Sequence, residues 1–344
     1  MLWAMRLGCF LLAAQHPGMS HADALETALE AAVAAEQAGL DSAWIAEHHF
    51  ISYGVCPSAA TFAANLLGRT RRLVVGTAVA VLSNQHPIAL AEQTALLDHL
   101  SGGRFHLGVG RGGPYVDLEV FDTGVERYQH GFAEALDLLL RWLEQDRVRG
   151  DGQRFSFREV TVVPRPVTRP RPPVTVACTS DATIELAASR GLPMLLGMHV
   201  GDEAKAAAVA RYAEVAERHG HDPGRVEHMA AALALVADSR AEADAALRAA
   251  LPRWLERGLG DYTYLVAPRS RRDPRDYAEH LLAIHPVGTA EDCAERLAAS
   301  AERTGIRHFL LMVEGCGERH RVLDTIARVG AEVRPRLLGH GLER

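Results

Sequence analysis

The sequence predicts a (β/α)8 TIM barrel, and three observations carry that expectation. Eight short apolar runs alternate with Ala-, Leu- and Glu-rich stretches of helical period. The spacing is even and shows no switch point of the kind a doubly wound sheet requires. A carboxylate and two imidazoles, Glu47, His48 and His49, stand where the second apolar run ends. That C-terminal strand end is where barrels of this class place their chemistry.

The elements follow in order. The first run, 5–12, is preceded by an apolar N-terminus that Arg6 interrupts. No clear small-residue cleavage site follows, so it reads as a strand and not as a signal segment. The other strands fall at 41–46, 73–82, 104–109, 173–179, 192–198, 228–236 and 307–313. Helices are expected at 22–38, 57–68, 88–100, 129–145, 181–190, 202–219, 240–257, 289–304 and 319–333. The run 155–163 suggests a short extra strand pair. The Pro-rich stretch 164–173 reads as a stiff crossover loop or an arm toward something acidic. The stretch 258–288, with Arg269, Arg271, Arg272 and Arg275, reads as an insertion loop. No composition shift divides the chain, so residues 1–344 are read as one domain.

Composition narrows the function. Hydrophobic residues make up 48% and charged ones 23%, which suits a large buried core and excludes wholesale disorder. The net charge of -6 argues against a nucleic-acid surface. No apolar run is long enough to span a membrane. Cys9, Cys56, Cys178, Cys293 and Cys316 are scattered and odd in number, without CxxC, so reduced thiols in a cytoplasm are expected.

Four constellations invite chemistry. On a strand, Glu47 and His49 would share a face and His48 would take the other. The trio is catalytic or a cluster holding a loop, and without His-x-His no metal is expected. Gly108-Val109-Gly110-Arg111-Gly112-Gly113 lacks the context of a dinucleotide fingerprint. It reads as backbone kept small for a flat ligand, with Arg111 as a charge partner, or as a plain turn. Ser180 and Thr183 begin a helix, where free N–H groups favour an anion and also suit an ordinary cap. The helix at 88–100, after Asn84-Gln85-His86-Pro87, lacks a clean polar face, which fits a subunit interface or burial within one chain.

These segments together resemble the bacterial luciferase-like flavin monooxygenases, the catalytic chain of luciferase in particular. The resemblance rests on 40–50, Val75-Gly76-Thr77-Ala78-Val79, His86-Pro87, Ala91-Glu92, Leu97-Asp98, Gly103-Arg104-Phe105, Gly110-Arg111-Gly112, 190–194 and Pro286-Val287-Gly288-Thr289. It implies reduced FMN taken from a separate flavin reductase. It also implies reaction with O2 through a flavin C4a-hydroperoxide and oxygenation of a small or mid-sized organic substrate. By the same resemblance His48 is the catalytic imidazole, with Glu47 and His49 beside it. Gly110, Arg111, Arg127, Thr179, Ser180 and Thr183 would hold flavin, and Ala78-Val79 would back its ring through a non-proline cis peptide. A homodimer through helices 57–68 and 88–100 is implied as well. A deazaflavin (F420)-dependent oxidoreductase and a non-catalytic flavin-binding partner subunit are the alternatives. Thr179 and Gly110 depart from the luciferase pattern, as does the shorter Arg-bearing insertion, which speaks against a long-chain aldehyde as substrate.

Overall fold

In a computed structural model that describes residues 5–266 and 273–339, strand Arg6–Leu11 lies between the second strand and the last. The succeeding strands are Ser42–Ile45, Val74–Thr77, Phe105–Gly110, Val174–Cys178, Met194–Leu196, Met229–Leu233 and His308–Met312. Each pairs in parallel with its predecessor, and the last returns to the first. The eight expected strands thus close a (β/α)8 barrel. They read as near-continuous apolar runs because both faces are covered.

Local chemistry sets the helix ends. Ser20 and Asp23 form a capping box for helix His21–Gln37, and Ser58 caps helix Ala59–Arg69. Helix Pro87–Ser101 has proline in its first turn and stops at Gly102, whose φ of 64° suits glycine. Small residues such as Ala24, Ala28, Ala31 and Ala35 let the first helix lie close on the sheet. Inside the barrel Trp44 packs with Leu195, Met229 and Leu310 as a floor. Gly76 makes room for it, since a Cβ there would lie 2.3 Å from Trp44 Cε3.

The third run, 73–82, splits into Val74–Thr77 and Ala80–Val81, with the cis peptide Ala78–Val79 between them. The seventh splits at Ala234, and Leu235–Val236 pairs with Val287–Gly288. The expected helix 129–145 is two helices, Gly124–His130 and Phe132–Glu144. The extra strand pair exists as Arg147–Asp151 and Ser156–Thr161, antiparallel. The Pro-rich stretch is a crossover loop. Asp98 accepts the Val167 and Thr168 amides at 2.7 and 2.8 Å and ties it to the third helix.

The insertion at 258–288 corrects the sequence reading, because much of it is helix. Asp273 caps helix Pro274–Ile284, whose Tyr277, Ala278, Leu281 and Leu282 pack with Trp254. Its arginine-rich setting masked that apolar face. Arg269, Arg271 and Arg272 lie outside the described residues. Among the described residues no helix is long and apolar enough to cross a membrane.

Candidate active site

The C-terminal strand ends surround a cavity of about 490 Å³. Glu47, His48 and His49 all line it. The strand alternation expected for them does not apply, since the strand ends at Ile45 and the next four residues leave its geometry, with the His48 N–H bonded to the Cys56 carbonyl.

The three side chains do different things. Glu47 accepts the Val81 N–H at 2.9 Å through Oε1 and the Ala59 N–H at 3.1 Å through Oε2. It therefore clamps the third-strand extension and the start of the second helix, and His49 Nε2 lies 3.7 Å from the same Oε1. The His49 ring meets Phe121 edge-on at 4.9 Å. His48 is enclosed, and its Nδ1 has no hydrogen-bond partner. Burial, helped by the neighbouring His49, pushes its pKa down to about 4. At neutral pH it is an uncharged ring with one N–H and one lone pair.

Ala78 and Val79 also line the cavity. Of the glycine run, Gly112 and Gly113 line it as well, as expected of backbone kept small for a ligand, but Gly108 and Gly110 do not. A Cβ on Gly110 would lie 2.5 Å from Val79 Cγ2, and one on Gly108 2.0 Å from the Thr77 carbonyl oxygen. These glycines make room for the neighbouring strand. Arg111 stands with its guanidinium 4.4 Å over the Tyr128 ring, and it is Tyr128 that reaches the cavity. Arg127 is not brought to the cavity either. It donates to the Leu82 and Gln85 carbonyls and lies over Phe155, bracing the loop before the third helix.

Thr179 lines the cavity, while Ser180 and Thr183 sit just beyond it at the start of helix Asp181–Ala188. Thr183 Oγ1 accepts the Thr179 and Ser180 amides, both at 3.1 Å, and donates to the Ser180 carbonyl. The hydroxyl is thus a cap, and the turn around it opens on a second pocket of about 180 Å³.

Sequence reasoning missed Glu314. It follows the last strand by two residues, the same position that drew attention to Glu47. Its carboxylate is buried and accepts the Leu12 N–H at 2.6 Å and the Ala14 N–H at 3.2 Å. Burial pushes its pKa up to about 7 against the pull of those amides. A stack of rings links this end to His48. His16 lies on Trp254, Trp254 on Tyr53, and Tyr53 meets His48 edge-on at 5.2 Å. Tyr115 and Tyr262 were missed as well; they pack at 4.3 Å over the cavity, where 262–265 is pinned to the loop after the fourth strand.

A family model described as luciferase-like monooxygenase matches residues 5–308. The chain belongs to the luciferase-like monooxygenases. It is 30% identical to the alkanal monooxygenase alpha chain of Photobacterium leiognathi, covering 97% of this chain and 99% of that one. Among solved structures this luciferase-like chain matches monooxygenase RslO1 from Streptomyces bottropensis, with a TM-score of 0.85, 23% identity and coverage of 96% and 99%. It matches the FMN complex of the oxygenating constituent of 3,6-diketocamphane monooxygenase from Pseudomonas putida, with a TM-score of 0.80, 19% identity and coverage of 97% and 99%. An F420-dependent secondary alcohol dehydrogenase shares the fold at a TM-score of 0.76, with 20% identity and coverage of 97% and 99%.

Proposed function

We propose that this luciferase-like protein is an FMN-dependent monooxygenase. It would take reduced FMN from a separate reductase and, with O2, oxygenate a small or mid-sized organic molecule. The observation that carries the reading is His48, a neutral imidazole in the wall of a strand-end cavity. The residues present fit a flavin. The cavity has room for a planar ring against Ala78 and Val79, and an anion-favouring helix start adjoins it. Reduced flavin, when bound, supplies the electrons that activate dioxygen. The protein's share is to bind, to orient and to exclude water. His48, whose Nδ1 is buried against Gly54, can hold or pass one proton at its other ring nitrogen, Nε2, a contribution of roughly 10²–10⁴-fold. Tyr115 and Tyr262 roof the cavity and shield it.

The F420-dependent neighbour makes hydride transfer to a deazaflavin the second reading. A non-catalytic partner subunit fits less well, because it would have no use for the His48 imidazole. Titration with reduced FMN, oxidised FMN and reduced deazaflavin, followed by O2, separates the three. An absorbing O2 adduct that free reduced FMN does not give under the same conditions supports the monooxygenase, and turnover with deazaflavin alone overturns it. We also propose a homodimer through helices Ala59–Arg69 and Pro87–Ser101. The support is an outward face on the latter, with Leu96 51% and Leu100 72% exposed.

A further inference from the structure

Five of the chain's seven tyrosines, Tyr53, Tyr115, Tyr128, Tyr262 and Tyr277, line the strand-end cavity. Among the described residues no lysine or arginine does. The carboxylates in its wall are those of Glu47 and Asp117. Glu47 is taken up by the Val81 and Ala59 amides. Asp117 is far less occupied.

Asp117 opens the short helix Asp117–Val120 in the loop after the fourth barrel strand, and it is only 6% exposed. Its Oδ2 accepts the Asn84 side-chain N–H at 2.7 Å, while its Oδ1 has no hydrogen-bond partner. Among the described residues no cation lies within ion-pair distance of it. A buried carboxylate held by one neutral amide is costly until a positive charge or further donors reach it. Here that cost sits in the wall of a cavity, where a ligand can relieve it.

The rings supply the rest of the site. Tyr115 precedes Asp117 by two residues, and Tyr262 packs on it with centroids 4.3 Å apart and planes tilted by 35°. The Val116 N–H bonds to the Thr263 carbonyl at 2.9 Å and holds the two segments together. Burial, then the neighbouring phenols, then the Asp117 charge push the Tyr115 and Tyr262 hydroxyls up. Both rings are therefore uncharged at neutral pH, and both feel the carboxylate. The face of an aromatic ring attracts cations. One ring of the set is already used in that way, since the Arg111 guanidinium lies 4.4 Å over Tyr128.

We infer that the tyrosine-roofed end of the cavity recognises a positively charged nitrogen, so that the substrate is a small organic amine with Asp117 as its counter-charge and Tyr115 and Tyr262 as cage walls. As a statement about the substrate, the inference rests on the flavin reading above. A carboxylate at this end would meet the Asp117 charge and find no lysine or arginine in the wall. A neutral, purely apolar group would leave Asp117 uncompensated, which costs affinity.

The test is calorimetric binding of four probes of similar shape to the whole protein, with and without oxidised FMN. The probes are phenethylamine, (2-phenylethyl)trimethylammonium, 2-phenylethanol and 3-phenylpropanoate. The two cations should bind roughly 10- to 100-fold more tightly than the alcohol, the range of a charged hydrogen bond or a desolvated cation–π contact, and the carboxylate most weakly. Asp117→Asn can keep the bond to Asn84 while it removes the charge, and should erase the preference for cations. Tyr262→Leu should weaken the trimethylammonium ion, which donates no hydrogen bond, more than the alcohol. Should Asp117→Asn fail to fold, the ranking of the four probes on the wild type decides alone. An alcohol that binds as tightly as the cations, or a preference that survives Asp117→Asn, overturns the inference and leaves the flavin reading standing. A protein that prefers the cations yet binds no flavin keeps the amine site and overturns the flavin reading.

Discussion

Glu47 and Val81 are joined across the mouth of the barrel. The Glu47 Oε1 atom accepts the Val81 N–H at 2.9 Å, while Oε2 accepts the Ala59 N–H. One carboxylate thus fixes the second strand end to the segment that follows Ala78–Val79. Glu47→Gln can accept only one of those amides and turns an NH2 group on the other. It should cost about 1–3 kcal/mol, seen as a lower melting temperature, and should weaken flavin binding with it. An unchanged melting temperature would remove Glu47 from this structural role.

His48→Ala should keep flavin binding and lose product formation by roughly 10²–10⁴-fold, with hydrogen peroxide released in place of product. Because His48 is neutral down to about pH 4, turnover should show no inflection near pH 6.5 from this ring. Comparison of the two pH–rate profiles checks the point. Full activity in the alanine variant would exclude the proton role.

Acid should unfold the protein early. Burial lowers the pKa of His16, His48, His106 and His228 to about 4, and of His285 and His308 to about 3. The unfolded rings protonate near 6.5 and the folded ones do not. The histidines' contribution to stability is therefore complete above pH 6.5 and is lost as pH falls toward 4. Six shifts of about 2.5 to 3.5 units, at about 1.36 kcal/mol per unit, together exceed the usual 5–15 kcal/mol of a fold. Circular dichroism should show cooperative unfolding before pH 4 is reached. A native spectrum at pH 3.5 would contradict it.

Glu314 has the opposite sign. Its pKa is raised to about 7 in the fold, so its contribution is present below pH 4.5 and is lost as pH rises through 7. Glu314→Gln carries no such loss. Its unfolding free energy relative to wild type should climb between pH 5 and pH 8, by an amount on the order of 3 kcal/mol. A constant difference across that range would mean that Glu314 is charged throughout.

Gly110→Ala tests the packing reading of the glycine run. A Cβ would lie 2.5 Å from Val79 Cγ2, so the variant should lose about 1–3 kcal/mol and displace the segment that backs the cavity. Leu96→Asp with Leu100→Asp should leave the fold intact and shift the sedimentation coefficient to that of a monomer. A dimer that survives both changes uses another face.

The barrel was legible because each strand and helix declares itself locally, by apolar runs and by caps such as Ser20 and Ser58. Glu47, His48 and His49 were legible for the same reason, as unlike residues at the end of one run. Other features depend on neighbours distant in sequence. That Gly110 serves Val79, and that Arg127 serves the carbonyls of Leu82 and Gln85, follows only when the strands are side by side. Glu314 belongs between these cases: its place after the last strand was visible, but its bonds to Leu12 and Ala14 span the whole chain. Helix Pro274–Ile284 was hidden by its arginine-rich surroundings, although Asp273 and Pro274 are an ordinary helix start.

The five cysteines are all free and all buried. Burial pushes Cys9, Cys56, Cys178, Cys293 and Cys316 up to about 12. Oxidants attack the thiolate, and at neutral pH almost none is present. An enzyme that brings reduced flavin to dioxygen sheds peroxide whenever a turnover fails. If this chain is such an enzyme, the by-product meets protonated thiols, so inactivation during long uncoupled turnover should begin elsewhere than at cysteine, with the Met198 thioether in the cavity wall as the first candidate.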